Sequence, residues 1–460
     1  MCIRDSTKTV LRQAANNAVA TFLENLAPTA EKNYSLWKAT KRFRRSPIPP
    51  LAPLRVNDCW IRDDSAKVEA YATHLEQVFC SQPLDPTQCL EPPPQLPHKS
   101  LFVSPKEVAA VLDKLNVRKA PGADQVTARM LQELPRVGIL FFTQLLNSIF
   151  RLSYIPSSWK IAKVIILHKP GKPSADVKSY RPISLLSIQN KVFEKLLHRK
   201  LTRLLPPDSL PPQQFGFRTK HSTVDQVQRV IHTISSALEK KQFCSAVFFD
   251  VAQAFDKVWH EGLLFKLRCL LPENICDLLE NYLQHRQFFV TYGISSSPLH
   301  PITAGVPQGS VLGPLLYTLY TADLPQPEDD TVLATFADDT GLLSTAASYD
   351  ASTAALQSAV DKFCTWATTW RITINSNKSS HVDFTLRPFG YIPICYRGDV
   401  VPPASSARYL GVYLDQRLTY KEHVRIKCQE LDFAYNVSVG CLEVTQPSRF
   451  QINVYCTLLR

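Results

Sequence analysis

The chain has 460 residues, of which 45% are hydrophobic and 20% are charged, and its formal net charge is +12 with a pI near 9.1. This composition excludes a disordered chain, and the length allows about two or three domains. The positive charge favours a polyanionic partner such as nucleic acid, although a surface of solvated lysines gives the same count.

Membrane-spanning and disulfide-rich classes are excluded as well. No apolar run reaches the length of a membrane span, and the N-terminus lacks the apolar core of a signal peptide. The twelve cysteines include no Cys-x-x-Cys pair and no Cys/His cluster with zinc-ligand spacing. We therefore expect reduced thiols, no membrane partner, and a protein of the cytoplasm and nucleus.

We predict that residues 1–99 form a linker and a basic N-terminal extension. A helical pattern covers 10–26, and the basic run Lys41–Arg45 comes after it. Such a run is typical of a solvated face, with a nucleic-acid contact as the alternative. Prolines concentrated at 47–53 and 83–97 predict extended segments on either side of one helix.

Residues 100–149 predict a helical extension. Ser104 is a good helix N-cap, because proline follows it at the first helical position and Glu107 lies in the first turn. A glycine turn at 119–124 and an apolar helix around Leu140–Leu146 come next.

The stretch from Trp159 to about residue 415 alternates short strands with helices, which predicts a compact core of mixed α/β (α+β) class. Within it, the apolar run Ala246–Val251 predicts a buried strand with Asp250 near its end. Glycine is scarce in the chain, yet three glycines fall in 304–314, just before the apolar helix Leu315–Tyr320. A glycine-rich loop there lets backbone approach a phosphate or a base pair, with an ordinary turn as the alternative.

Asp338 and Asp339 are adjacent at the tip of an apolar hairpin, whose flanking segments 332–336 and 342–343 predict two short strands. Neighbouring carboxylates raise each other's pKa unless a cation lies between them. Alone, such a pair is typical of a solvated turn. Together with Asp250, it predicts a set of hard oxygen ligands for magnesium and for two-metal phosphoryl transfer.

Several short motifs follow one another along the chain. The whole series, in its order, is a far more specific signal of a protein family than any single motif. In that order the chain resembles the reverse transcriptases of non-LTR retrotransposons, most closely the Jockey-like group. The segments that carry the resemblance are Leu36–Lys41, Lys119–Asp124, Trp159–Lys163, His168–Lys172, Ser179–Leu186, Gln214–Arg218, Phe248–Trp259, Gly305–Leu316, Phe336–Asp339, Asn375–Lys378 and Tyr409–Leu414.

The resemblance implies an RNA-directed DNA polymerase with a right-hand fold, in which fingers and an antiparallel palm sheet occupy 150–415. It implies two magnesium ions as cofactor and an RNA template, a DNA primer and deoxynucleotide triphosphates as partners, with element RNA held as a ribonucleoprotein. Asp250 and Asp338 would bridge the ions and Asp339 would contribute less directly. Val251 would join them as a metal ligand. Lys378 would donate a proton to the pyrophosphate, with an ordinary exposed lysine as the alternative.

The resemblance also implies a nucleotide-binding set. Lys169 and Arg181 would neutralise the triphosphate, with arginine binding phosphate oxygens as a planar fork. Lys163 and Lys172 are nearby alternatives, and a solvated basic loop is the non-functional alternative. Phe255 would exclude a ribose 2′-hydroxyl, which selects deoxyribonucleotides; its alternative is a core aromatic of the helix after the strand. Gln308 and Gly309 would support the nascent base pair.

The chain departs from the family at both ends. Nothing in 1–99 resembles the catalytic acids of the endonuclease that usually precedes the polymerase, and 416–460 predicts only the start of a thumb. We therefore expect a fragment with an incomplete thumb. The opening Met1–Ser6 does not join naturally to residue 7 and beyond, and we expect it to be an artefact.

Other functions stay open at this point. A group II intron-type maturase or an RNA-dependent RNA polymerase would share many of these motifs, but Phe255 argues against an RNA product. A catalytically inactive nucleic-acid-binding remnant is the alternative from another class. The complete aspartate set argues against it, because random substitution would not preferentially spare those residues. Trp366 and Trp370 are four residues apart, and we expect them to be packing anchors rather than base-stacking platforms.

Overall fold

A computed structural model describes residues 51–56, 58–80, 96–169, 171–327 and 331–443, with Gln13 and Asn17, and side chains as far as residue 432. Contacts divide the chain into two units, residues 1–52 and 53–460. The helical pattern predicted over 10–26 and the basic run at 41–45 lie essentially outside the described residues.

The second unit contains helices and strands in mixed order. The strands are β1 (Leu54–Val56), β2 (Cys59–Ile61), β3 (Ile161–His168), β4 (Tyr180–Leu185), β5 (Phe243–Phe249), β6 (Arg286–Tyr292), β7 (Ser295–Ser296), β8 (His300–Ile302), β9 (Thr331–Phe336), β10 (Asp339–Ala346), β11 (Ser380–Phe384), β12 (Cys395–Tyr396), β13 (Asp399–Val400), β14 (Ser406–Tyr409) and β15 (Val412–Asp415). The helices are α1 (Asp64–Val78), α2 (Pro105–Leu112), α3 (Ala128–Gln132), α4 (Arg136–Leu152), α5 (Ile188–Leu204), α6 (Thr223–Glu239), α7 (His260–Arg268), α8 (Glu273–Leu283), α9 (Gly313–Tyr320), α10 (Tyr349–Thr369) and α11 (Lys421–Glu443).

The unit contains a four-stranded antiparallel sheet with the order β11-β5-β10-β9. Every residue of β5 is buried, because β10 and β11 pair with its two edges and helices α10 and α6 contact it. Side chains alternate between the faces of a strand. Val247 and Phe249 accordingly belong to one hydrophobic cluster, and Ala246 and Phe248 to another.

A second sheet has the order β4-β3-β6-β7, and β8 pairs with β6. β3 and β4 are antiparallel, whereas β3 and β6 run parallel. Helix α1 contacts β6, β7 and β8 through a buried face that includes Val68, Tyr71 and Leu75. The helix expected between the two proline-rich stretches is thereby confirmed.

Local signals in the helical extension are confirmed. Helix α2 begins at Pro105 behind Ser104, whose side chain accepts from the Glu107 N–H while the Glu107 carboxylate accepts from the Ser104 N–H. This reciprocal capping satisfies two N–H groups that a helix start leaves free. The apolar helix predicted near residue 140 is α4.

Trp366 and Trp370 are packing residues, as expected, each with 8% exposure. They form an aromatic enclosure around Lys266, whose ammonium lies 3.6 Å from the Trp370 ring centre and also pairs with Asp323. Burial lowers the pKa of Lys266 to about 8, while Asp323 opposes this shift. A cation over an aromatic face recovers part of the cost of its desolvation.

The mixed helix-and-strand class is confirmed. In the described ranges no helix is long and apolar enough to cross a membrane. The cysteines characterised there are free thiols, of which Cys244 and Cys276 are buried. The domain boundaries after residues 99, 149 and 415 stay predictions, although the last strand, β15, ends at Asp415.

Candidate functional site

The hairpin between β9 and β10 holds Asp338 and Asp339, as predicted. Phe336 pairs with Asp339 across the hairpin, which leaves Ala337 and Asp338 as the turn. Ala337 has φ of +58°, a left-handed conformation that costs an alanine energy. A buried side chain holds it there, since the Ala337 N–H donates to Oε1 of Gln214 at 2.9 Å.

Asp250 directly follows β5 and therefore lies beside this hairpin. The register pairs Phe249 with Thr340, one residue after Asp339. The Asp250 N–H donates to Oγ of Ser379 at 3.2 Å, and its carbonyl accepts from the Asn375 N–H at 2.9 Å. Because β5 and β10 pair in this antiparallel register, Asp250 lies at the same end of the sheet as the hairpin.

The three carboxylates share one electrostatic environment. Burial and then repulsion from Asp250 raise the pKa of Asp338. Partial burial, followed by repulsion from Asp338 and Asp250, raises the pKa of Asp339 to about 6. Like charges gathered at this range favour a bound cation or a shared proton.

The chemistry of these donors fits a hard divalent cation. Across the described ranges, however, no three His, Cys, Asp or Glu side chains are close enough together to hold a metal ion. The carboxylates are thus near each other without forming an assembled ligand set. Val251 lies beside them and forms an isolated antiparallel bridge with Ile374.

Basic side chains face this acidic group. The Lys378 ammonium lies 3.8 Å from Oδ2 of Asp250; the Lys378 side chain is 69% exposed and the Asp250 side chain 48%. Burial and then the charges of Arg181, Lys378 and Lys172 lower the pKa of Lys169. Lys169, Arg181 and Lys378 are therefore brought together, from the loop before β4, from β4 itself and from the segment before β11. The Lys169 ammonium donates to the Lys178 carbonyl at 2.7 Å.

Phe255 lies in the turns between β5 and α7, not in a helix. Its ring stacks on Tyr317 with centres 4.6 Å apart and meets Phe217 edge-on at 6.0 Å. Asp338 and Asp339 both raise the pKa of Tyr317, after the larger effect of its burial. Tyr317 thus connects the Phe255 ring to the acidic hairpin.

Gln308 and Gly309 lie in the glycine-rich loop before α9. Gly309 has φ of +86°, and a Cβ there would lie 3.4 Å from the carbonyl oxygen of Ser184 in β4. The side-chain nitrogen of Gln308 lies 2.7 Å from both carboxylate oxygens of Asp256. The amide nitrogen of Gln308, a residue expected to support the nascent base pair, therefore donates to the Asp256 carboxylate.

The residue-by-residue prediction assigned no role to three of these supporting residues: Gln214, Asp256 and Tyr317. All three fall in or beside segments that carry the family resemblance, so the motifs pointed to the right places. What the motifs did not indicate is which of these side chains contact one another. Gln214 and Ala337, or Asp256 and Gln308, are far apart in sequence.

Comparison with known proteins identifies the family. Residues 167–414 match the family described as reverse transcriptase (RNA-dependent DNA polymerase). Over 96% of its length the chain is 38% identical to the RNA-directed DNA polymerase from mobile element jockey of Drosophila melanogaster, covering 50% of that protein. It is 40% identical over 88% of its length to the probable RNA-directed DNA polymerase from transposon X-element of the same species, covering 46%.

A third relative is the probable RNA-directed DNA polymerase from transposon BS of Drosophila melanogaster, with 37% identity over 91% of this chain and 48% of the relative. The chain spans about half the length of these curated relatives. The matched region contains the acidic hairpin, Asp250, the basic group and the Gln308 loop. The chain belongs to the reverse transcriptase family, and its resemblance to the Jockey-like group is confirmed.

Proposed function

We propose that this chain is the polymerase part of a non-LTR retrotransposon protein, which adds deoxynucleotides to a DNA primer on an RNA template. The observation that carries the proposal is the meeting of Asp250 with the Asp338-Asp339 hairpin, opposite a group of basic side chains. Acidic ligands facing phosphate-binding cations are what two-metal nucleotidyl transfer requires.

The fold supports an assignment of parts. The β11-β5-β10-β9 sheet, with its antiparallel strands and the acidic group at one end, corresponds to a palm. The β4-β3-β6-β7 sheet, which carries Arg181, corresponds to fingers. Residues 100–149 would be the helical extension before the fingers, and residues from 416 the start of a thumb.

Asp250, Asp338 and the backbone of Val251 would hold magnesium, with Asp339 contributing less directly. Two magnesium ions, when bound, supply activation of the primer 3′-hydroxyl and stabilisation of the departing pyrophosphate. Lys378 lies close enough to Asp250 to deliver a proton near the leaving group. Because its side chain is largely exposed, it can turn between the carboxylate and a phosphate.

Arg181 and Lys169 would bind the triphosphate. Arg181 is exposed on β4, and its charge lowers the pKa of Lys169, so the two cations are close to each other. A triphosphate between them would relieve this repulsion and form charge-assisted hydrogen bonds. Phe255, fixed between Tyr317 and Phe217, would form the wall against a ribose 2′-hydroxyl.

A basic helix face supports the nucleic-acid partner. Lys191, Lys195 and Arg199 lie at i, i+4 and i+8 on α5, along about 12 Å of one face. Lys119 adds a fourth charge, since it lowers the pKa of both lysines after the larger effect of burial. A row of like charges along one face fits a phosphate backbone, and we assign this face to template binding.

Primer extension by the purified chain tests the proposal. With magnesium, deoxynucleotides and a DNA primer on RNA, the wild type should extend the primer. Asp250→Asn should abolish extension and leave duplex binding within about twofold, because it removes a metal ligand and not a phosphate contact. Asp361→Asn, an exposed change on α10, is the matched control.

The alternatives predict other results. An inactive remnant would bind the RNA–DNA duplex without extending it and would show equal magnesium affinity in wild type and Asp250→Asn. A ribonucleotide polymerase would incorporate ribonucleotides as readily as deoxynucleotides. Either pattern would contradict the proposed activity.

A further inference from the structure

Helix α4 presents a row of large apolar side chains to solvent. Its inner face is buried in the hydrophobic core and contacts α2. A helix that packs by one face usually carries polar residues on the other, and a contiguous apolar row in solvent is typical of an interaction surface. The outer face of α4 instead carries five apolar side chains that are between 44% and 67% exposed: Val137, Leu140, Phe141, Leu145 and Leu152.

The exposed side chains form ridges of the kind by which helices pack on each other. Residues four apart on a helix lie along one ridge, with a groove on either side. One ridge consists of Val137, Phe141 and Leu145, and the neighbouring ridge begins at Leu140 and ends at Leu152. From Val137 to Leu152 the row is about 22 Å long at the helical rise per residue. This length is sufficient for a second helix to cross it.

Helix α4 is anchored at several points. Nδ2 of Asn147 donates to the Val103 carbonyl at 3.0 Å, and its Oδ1 accepts from the Val103 N–H at 2.9 Å. Just after the helix, the Ser153 hydroxyl donates to the Asn274 carbonyl at 3.0 Å. Phe102 precedes Val103, is also largely exposed and extends the apolar surface. A partner that binds here does not have to order this helix, which lowers the entropic cost of association.

The size and shape of this face fit a second copy of the chain. Five apolar side chains, each about half exposed, present on the order of 500 Å² per copy, so two copies would bury about 1,000 Å², where specific interfaces begin. The row is also complementary to itself. In an antiparallel crossing centred beside Leu145, Phe141 would lie over Ser148 of the second copy, and Val137 would meet Leu152.

We propose that α4 forms a two-fold symmetric interface with α4 of a second copy of this chain, through the row from Val137 to Leu152. Both copies of such an interface use the same surface. The exposed charges beside the row, Arg136 and Arg151, are both positive, and the chain carries a net charge of +12. Salt should therefore strengthen the dimer by screening repulsion, whereas copies bridged by nucleic acid would separate as salt rises.

Sedimentation equilibrium of the nuclease-treated chain tests the proposal. We expect wild type to form dimers with a dissociation constant on the order of 10 μM, typical of an interface near the lower size limit, and this constant should fall with added salt. Phe141→Asp should raise it at least about a hundredfold, because a carboxylate would be buried against apolar side chains. Val424→Asp, at a similarly exposed position on α11, is the matched control and should leave it unchanged.

Leu145 gives a test that depends on a second copy of the same chain. Because Leu145 would lie nearest the two-fold axis, a charge introduced there faces its own copy. Leu145→Glu and Leu145→Arg should each be monomeric alone, and an equimolar mixture of the two should form a mixed dimer. Leu145 is exposed in the single chain, so both variants should melt at the wild-type temperature in circular dichroism.

Several outcomes would overturn the proposal. Wild type that stays monomeric up to about 100 μM would leave this face to a different partner, whatever the variants do. A dimer that is lost on nuclease treatment or with rising salt would be bridged by nucleic acid. Equal weakening by Val424→Asp, or Leu145 variants that stay monomeric when mixed, would show that α4 does not face itself.

Discussion

Gln214→Met is the substitution that most directly tests how the acidic hairpin is held. Gln214 is 3% exposed, and its Oε1 accepts from two backbone N–H groups, Gly216 at 2.8 Å and Ala337 at 2.9 Å. Ala337 immediately precedes Asp338 and is in the left-handed region. Methionine has nearly the same size but offers only a weakly accepting sulfur.

The expected loss comes from the two N–H groups left without a good acceptor. Each buried unsatisfied group costs about 1–3 kcal/mol, so the pair costs about 2–6 kcal/mol. Partial relaxation of the turn places the expected loss of unfolding free energy near the lower end, at about 3 kcal/mol. Because the same turn carries Asp338, we also expect primer extension to fall by about a hundredfold, the effect of a displacement of roughly 1 Å at a reacting group.

The neighbouring residue provides a matched control. Gln213 is 6% exposed, and its side-chain nitrogen is buried without a hydrogen-bond partner among the residues that the structure describes. Gln213→Met therefore removes an unsatisfied amide from a similar environment and should be neutral or stabilising. Urea denaturation followed by circular dichroism gives the unfolding free energies, and primer extension under folding conditions gives the activities. Equal losses for the two variants, in either assay, would refute the reasoning.

Three further predictions concern other parts of the molecule. Phe255→Val should admit ribonucleotides, raising their incorporation relative to deoxynucleotides at least about tenfold in single-nucleotide assays. Burial lowers the pKa of Lys266 from 10.5 to about 8, so the unfolded chain holds this proton at higher pH than the folded one. The difference in unfolding free energy between wild type and Lys266→Met should therefore increase from pH 8 to pH 10.5 in favour of wild type, by up to about 3 kcal/mol. A decrease over this range would contradict the lowered pKa of Lys266. Gly305→Ala should lower the melting temperature more than Gly398→Ala. Both glycines have positive φ, but only at Gly305 would the added Cβ collide with backbone atoms, those of Asp256.

Local sequence was sufficient for many of the elements. Ser104, Pro105 and Glu107 predicted a helix start, and the structure has it with reciprocal capping. The apolar run ending in Asp250 and the hairpin tipped by Asp338 were also found where predicted. These predictions succeed because helix capping and strand alternation depend on residues within a few positions of one another.

The sequence was less informative about how the site is supported. Phe255 lies in turns and not in the expected helix, but its side chain packs against the hydrophobic core, so its role as a gate and its role as a core aromatic both stay predictions. The hydrogen bond from the Gln308 side-chain nitrogen to Asp256 was not predicted. In the described ranges the three aspartates approach one another without an assembled metal-ligand set. Each outcome depends on side chains that only meet after the chain has folded.

The sequence by itself determined the family, the order of the motifs and the identity of the acidic and basic groups. Only the tertiary structure decided that Lys378 faces Asp250, that Gln214 accepts from the Ala337 N–H and that Asp256 accepts from Gln308. The physical reason is that a motif fixes which functional group is available within a few residues. The direction of that group is set by partners from distant segments, through contacts that no local pattern encodes.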